Sequence, residues 1–193
     1  MCTGRSFHQP PRRSDGRRLP MRELALLARY NAHVDRVVYD LLAGVDPELV
    51  AKPAGSPFGS ILGILNHVLL AELSWLLRFR ESLPGSQALA HETVAIGRTK
   101  DRMLHQSLTD LCDHHLTVDR LIVDLVGEPG AVDAVAEYTT RAGDRHRHRL
   151  GDLLLHVLNH ATHHRGQISQ ILDAAGVEHD YSNLHPLIEQ LDG

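Results

Sequence analysis

Cysteine is scarce in this chain: 193 residues contain two, Cys2 and Cys112. Two cannot build a disulfide framework or a cysteine-based zinc ribbon, and the reducing cytoplasm is the expected compartment. Aromatic side chains are also few, with three Phe, four Tyr and one Trp. Charge of one sign does not dominate: 20 Lys and Arg meet 24 Asp and Glu, a net of −4. That balance argues against general binding to nucleic acid or to an anionic membrane. No hydrophobic run is clean enough to span lipid, because the most apolar stretch, residues 61–79, contains Asn66, His67, Glu72 and Arg78. A glycine-rich phosphate loop is missing too, so no cofactor box is legible. What is present is an ordinary globular composition, 42% hydrophobic and 23% charged, sufficient for a real core. One count departs from the ordinary: the chain has 15 histidines.

Charge and proline divide the sequence. Residues 1–20 hold five arginines, three prolines and one acidic residue, a local +4 that leaves −8 for the remainder. Without an apolar run this stretch is no secretory signal and reads as a disordered basic leader. A tail for an anionic partner, or a start at Met21, are the other readings. The domain expected over 21–193 carries prolines at 47, 53, 57, 84, 129 and 186, and proline interrupts helices.

The proline-free intervals predict four helices. The first, Met21–Ala43, places Leu24, Leu27, Asn31, Val34, Val38 and Leu41 on one stripe. The second, over 60–81, is apolar on nearly every side, as a buried helix is. The third, over 100–126, has a seam of Leu104, Leu108, Leu111, His115, Val118, Ile122 and Leu125. The fourth covers 150–175 and stops at Gly176. Before it, Val135–Thr139, a Gly143-Asp144 turn and a second extended run predict a short hairpin or an irregular loop. Residues 86–99 read as a loop with at most one helical turn. The expected fold is all-α: an antiparallel four-helix bundle with one long connection.

Histidine carries the chemistry. Residues four apart share a helix face, so His160 and His164 can reach one metal ion. On a helical wheel, Leu150, Leu153, Val157, Ile168 and Ile171 define the apolar face. His164 falls inside that arc and His160 at its edge, while His156 and His163 turn towards solvent. A third ligand has to come from another helix, and His67 on the second helix is the candidate. Its tripeptide Leu65-Asn66-His67 recurs as Leu158-Asn159-His160. A shared metal would satisfy an imidazole that is otherwise costly to bury.

Three imidazoles with no adjacent carboxylate or thiolate leave a fourth position for water, the pattern of a catalytic zinc site. Zinc is the preferred ion, with nickel second. Asn66, Glu72, Asn159 and Gln167 are candidate acceptors for the outer ring nitrogens. His115 and His33 read as hydrogen-bonded core residues. His146, His148, His179 and His185 read as surface or loop residues.

The run His156-Val-Leu-Asn-His160-Ala-Thr-His163-His164-Arg165-Gly166-Gln167 resembles the signature of the DinB family, the damage-inducible proteins of the DinB/YfiT-like superfamily. Tyr30-Asn31, the run from Phe58 to Gly63 before Leu65-Asn66-His67, Tyr138 and Asp180-Tyr181 extend the resemblance through most of residues 21–190. It implies a four-helix bundle, often dimeric, that binds one divalent metal through three histidines. Carried over position by position, these are His67, His160 and His164. Relatives include S-transferases that use low-molecular-weight thiols such as bacillithiol or mycothiol, and a thiol-dependent maleylpyruvate isomerase. A homodimer, a small-molecule substrate and a low-molecular-weight thiol cosubstrate are therefore expected.

Two function classes stay open. One is a metal-dependent enzyme, a thiol transferase or in a variant a hydrolase. The other is a non-catalytic metal-binding stress-response protein, in which the ion staples the second helix to the fourth. A fourth protein ligand, with His115 the candidate, would favour the staple.

Overall fold

The stripe on the first helix faces inward as its spacing requires, with Leu27 and Leu41 half-buried at its edge. In α1 (Met21–Ala43), Leu24, Asn31, Val34 and Val38 are all within 2% of full burial. The structure, a computed structural model, describes residues 21–140 and 142–190. The expectations for the leader 1–20 lie outside the described residues. Four long helices and a two-stranded sheet give a mostly helical fold.

A short helix, α2 (Pro47–Ala51), follows α1 where the sequence reading placed only a boundary. Pro47 stands at the first helical position, where its missing N–H costs nothing, and Asp46 caps the turn by accepting from the Glu48 N–H. Next comes α3 (Ile61–Ser82), capped by Ser60, whose hydroxyl accepts from the Gly63 N–H. Its burial on nearly all sides is as expected, because α2 and segments drawn from residues 88–98, 108–127, 135–139 and 150–174 all pack on it. Among the described residues, α3 is the one helix long and apolar enough to cross a membrane, and 61% of its apolar window is buried inside the fold.

Residues 86–99 are more ordered than expected. Two 3₁₀ segments, Ala88–Ala90 and Glu92–Arg98, run along α3. At Gly97 the backbone passes so close that a Cβ would sit 2.3 Å from the Leu73 carbonyl oxygen. The third long helix is shorter than expected: α4 spans Leu108–Gly127, and residues 100–107 are not helical. Two contacts set this limit. Ser107 caps the helix through the Asp110 N–H, and the buried Asn66 amide occupies the backbone before it. Asn66 Oδ1 accepts from the N–H groups of Leu104 (2.8 Å) and His105 (3.0 Å), while Nδ2 donates to the His105 carbonyl. From Leu111 onward the predicted seam is buried.

The hairpin alternative is the one realised. Strands β1 (Val135–Thr139) and β2 (Arg145–Arg149) pair antiparallel, with Tyr138 opposite His146. Gly143 takes the left-handed conformation that the turn requires, at φ 95°. Then α5 (Leu150–Ala174) ends in a Schellman motif. The Gly176 N–H (φ 71°) bonds the Asp173 carbonyl, and the Val177 N–H bonds the Leu172 carbonyl. Past that stop the chain returns over α5 and α1. Tyr181 donates to the Arg165 carbonyl, and Tyr30 donates to the Ser182 carbonyl.

Two glycines respond oppositely to a methyl group. A Cβ on Gly63 would meet the Phe58 carbonyl oxygen at 1.9 Å, whereas one on Gly166 meets nothing within 4 Å. Gly63→Ala should lower stability by about 1–3 kcal/mol, in the range of other overpacked sites. Gly166→Ala should raise it by about 0.5–1 kcal/mol through helix propensity. Urea unfolding of the two variants checks both signs.

Candidate metal centre

Helices α3 and α5 pack together, and their contact brings three rings from distant positions in the chain to one point. His160 Nε2 lies 3.1 Å from His67 Nε2 and 3.0 Å from His164 Nε2. Ligands about 2.0–2.1 Å from a tetrahedral zinc stand about 3.3–3.4 Å apart. The rings are thus already near ligand spacing, and one donor atom from each lies within 4.8 Å of the others.

Two neighbours hold the rings in place. Phe58 stacks on His67 at 3.9 Å between centroids and meets His164 edge-on at 5.2 Å. Gln167 Oε1 accepts from His164 Nδ1 at 2.9 Å, which leaves the Nε2 lone pair of His164 facing the other two rings. The donor set therefore fits a divalent ion. His67 and His160 are half-buried and His164 is buried.

Burial and mutual repulsion keep the three rings neutral. Burial, then the charge of His164, lowers His67. His160 falls furthest, to about 4, through burial and the charges of His164 and His67. Burial also lowers His164, against the opposing hydrogen bond from Gln167. Neutral imidazole is the form that binds metal.

The sequence profile of the DinB family matches residues 21–186. The chain belongs to the DinB family. It is also 24% identical to Protein DinB of Bacillus subtilis (strain 168) over 151 residues, which cover 78% of this chain and 84% of that protein. No solved structure matches it significantly.

In this DinB-family chain the other histidines divide as follows. His156 and His163 are exposed, in line with the wheel. His115 is fully buried and stays outside the three-ring group, hydrogen-bonded to Tyr39 (2.8 Å) and Glu72 (3.0 Å). It lies in the core, as read from the sequence, and supplies no fourth ligand to that group. His33 corrects the reading: it lies on the exposed face of α1. His148 and His185 are exposed, but His146 is half-covered by stacking on Tyr138, and the His179 side chain is only 11% exposed. Of the four candidate acceptors, Gln167 alone bonds one of the three rings. Asn66 holds the backbone before α4, Glu72 pairs with His115, and Asn159 is exposed.

Sequence reasoning missed Phe58 as the ring support, and it missed a second buried group entirely. Asp35, Glu72, His115 and Asp119 lie together, joined to Asn31 and Arg165. Burial resists a charge on His115, but the charge and hydrogen bond of Glu72, with Asp35 and Asp119, outweigh it and lift the imidazole to about 10. Burial and the neighbouring Asp35 push Asp119 well above the usual carboxylate range. One signal was available: Asn31 and Asp35 on α1, and His115 and Asp119 on α4, are polar pairs four apart on otherwise apolar stripes.

Gln167→Ala should weaken metal binding by about 10- to 100-fold, as loss of an outer partner does elsewhere, while Asn159→Ala should leave it unchanged. Competition with a chelating dye measures both. In the metal-free chain, the folded-state value of His160 is depressed from 6.5 to about 4, so the unfolded chain binds that proton first as pH falls. Stability relative to His160→Ala is present above pH 6.5 and is lost as pH falls towards about 4. Denaturant melts at several pH values test the sign.

Proposed function

We propose that this DinB-family chain is a metal-dependent thiol S-transferase, built as an antiparallel four-helix bundle. His67, His160 and His164 hold one divalent ion, zinc before nickel, and leave its fourth position open. The observation that carries the reading is the approach of His160 Nε2 to 3.1 Å from His67 Nε2 and 3.0 Å from His164 Nε2 on the half-buried face between α3 and α5. A divalent ion held there would supply Lewis acidity and lower the pKa of a bound thiol.

The chain's own residues do the rest. The three imidazoles would hold the ion, Gln167 keeps the His164 tautomer, and Phe58 closes one side of the site. A groove of about 570 Å³ begins at Gln167 and runs between α5 and the 52–57 loop past Lys52, Ser56 and Gln170. It offers room for the body of a small-molecule thiol or its electrophilic partner. In the transfer, the thiol proton leaves to solvent, the sulfur forms a bond to an electrophilic carbon, and the leaving group departs with its electron pair. The same reading takes the protein as a homodimer in the reducing cytoplasm.

A second reading rests on the same geometry: an ion joining α3 to α5 also staples two helices without any turnover. Chelation lowers the melting temperature under both readings, but thiol consumption separates them.

The experiment loads the full chain with zinc and offers a low-molecular-weight thiol with a haloarene electrophile. The expected result is thioether formation that stops on chelation, stops in His160→Ala, and persists in His163→Ala and His148→Ala. His156→Ala is expected to retain metal, because its ring faces solvent. Full zinc retention in single alanine variants of all three histidines would refute the site. Loss of zinc without any thiol chemistry in the wild type would leave the staple.

A further inference from the structure

The buried group between α1, α3, α4 and α5 has the features of a second ion site. We propose that Asp35, Glu72, His115 and Asp119 bind a second divalent transition-metal ion inside the fold. This inference does not depend on the three-histidine reading.

The first support is donor placement. One donor atom from each of the four residues lies within 4.8 Å of the others, and the residues are between 0% and 2% exposed. Three of the four have their remaining polar atom taken by a residue outside the set. Asp35 Oδ1 accepts from Arg165 Nη1 at 3.0 Å, Asp119 Oδ1 accepts from Asn31 Nδ2 at 2.9 Å, and His115 Nδ1 meets the Tyr39 hydroxyl at 2.8 Å. Metal ligands are held in this way by their outer atoms; on the inner side Asp35 Oδ2 accepts from Asn31 Nδ2 at 2.9 Å and His115 Nε2 meets Glu72 Oε2 at 3.0 Å, bonds that an ion would replace.

The second support is the pair of orphaned atoms. Glu72 Oε1 and Asp119 Oδ2 are buried without a hydrogen-bond partner among the described residues. Two carboxylate oxygens left so, at full burial, call for a positive partner.

The third support is charge. Three carboxylates face one guanidinium, that of Arg165, so with a neutral imidazole the group carries −2. A divalent ion brings it to zero. Three oxygens and one nitrogen form a harder donor set than three imidazoles, so manganese or iron(II) competes better here than at the other site.

The site has no exposed face, so loading accompanies folding. The test therefore refolds the full-length His160→Ala variant, which lacks the outer site, in the presence of Zn²⁺ or Mn²⁺ and removes free ion. Native mass spectrometry is expected to find one ion per chain, and zinc X-ray absorption is expected to show mixed oxygen and nitrogen ligation with a single imidazole. Wild type should carry two ions, and Asp119→Asn one. A folded His160→Ala chain that holds no ion overturns the proposal, and so does an ion ligated by several imidazoles. If Asp119→Asn fails to fold, the stoichiometry and ligation in His160→Ala still decide. The two sites fail separately. An ion lost with His160→Ala and absent thereafter spares the three-histidine reading, whereas one ion bound equally by wild type and His160→Ala, with oxygen-rich ligation, removes that reading and keeps this one.

Discussion

The buried guanidinium of Arg165 is the interaction on which the rest of the structure depends. It reaches from α5 to α1, donating to Asn31 Oδ1 at 2.7 Å and to Asp35 Oδ1 at 3.0 Å. Its own backbone carbonyl receives Tyr181 from the returning chain. Arg165 directly follows His164, so the contact that fixes the rotation of α5 against α1 also fixes which way His160 and His164 face. Breaking a buried ion pair on one side typically costs about 3–5 kcal/mol, because the partner is left charged and unpaired. Here the partner is Asp35, inside the polar group at the centre of the helices. Loss of Arg165 would thus disturb both the packing and the aim of the histidines.

Around that fixed point, α3 supplies the wall. It is the helix touched by most other elements, and its close approaches are made at glycine: its own Gly63 against Phe58, and Gly97 of the 3₁₀ segment against the Leu73 carbonyl. Close packing at these points puts Phe58 over His67 and leaves the imidazole on the one flank of α3 that meets α5. Asn66, one residue earlier, faces the opposite task and organises the backbone ahead of α4. Two adjacent residues on one helix therefore serve two unrelated structures, a consequence of the 100° turn between them.

Much of the site was legible because helical periodicity is a local property. The wheel on α5 separates His160 and His164 from His156 and His163 with no knowledge of a partner helix, and the exposures agree. Where the reading failed, the cause was a contact between distant residues. The start of α4 depends on Asn66, 38 residues before Leu104 in sequence. The 3₁₀ segments over 88–98 owe their order to α3, since so short a stretch has little helical stability of its own. A lone histidine on an apolar helix reads as a core residue, yet on α1 Val34 and Asp35 turn inward and leave His33 on the open side.

The sequence by itself determined the long helices, apart from the start of α4, together with the His160/His164 pair and the choice of His67 as the third ring; it left a hairpin and an irregular loop as alternatives before α5. All of these follow from spacing, proline punctuation and the cost of burying polar groups. It also carried the family signature. Only the tertiary structure decided that Gln167, rather than Asn66 or Glu72, bonds one of the three rings, and that Phe58 stacks on His67. It alone drew Asp35, Glu72, His115 and Asp119 from three helices into one buried group. The physical reason is the range of the interactions: helical spacing acts over four residues, whereas a buried carboxylate takes its charge environment from whichever helices pack beside it.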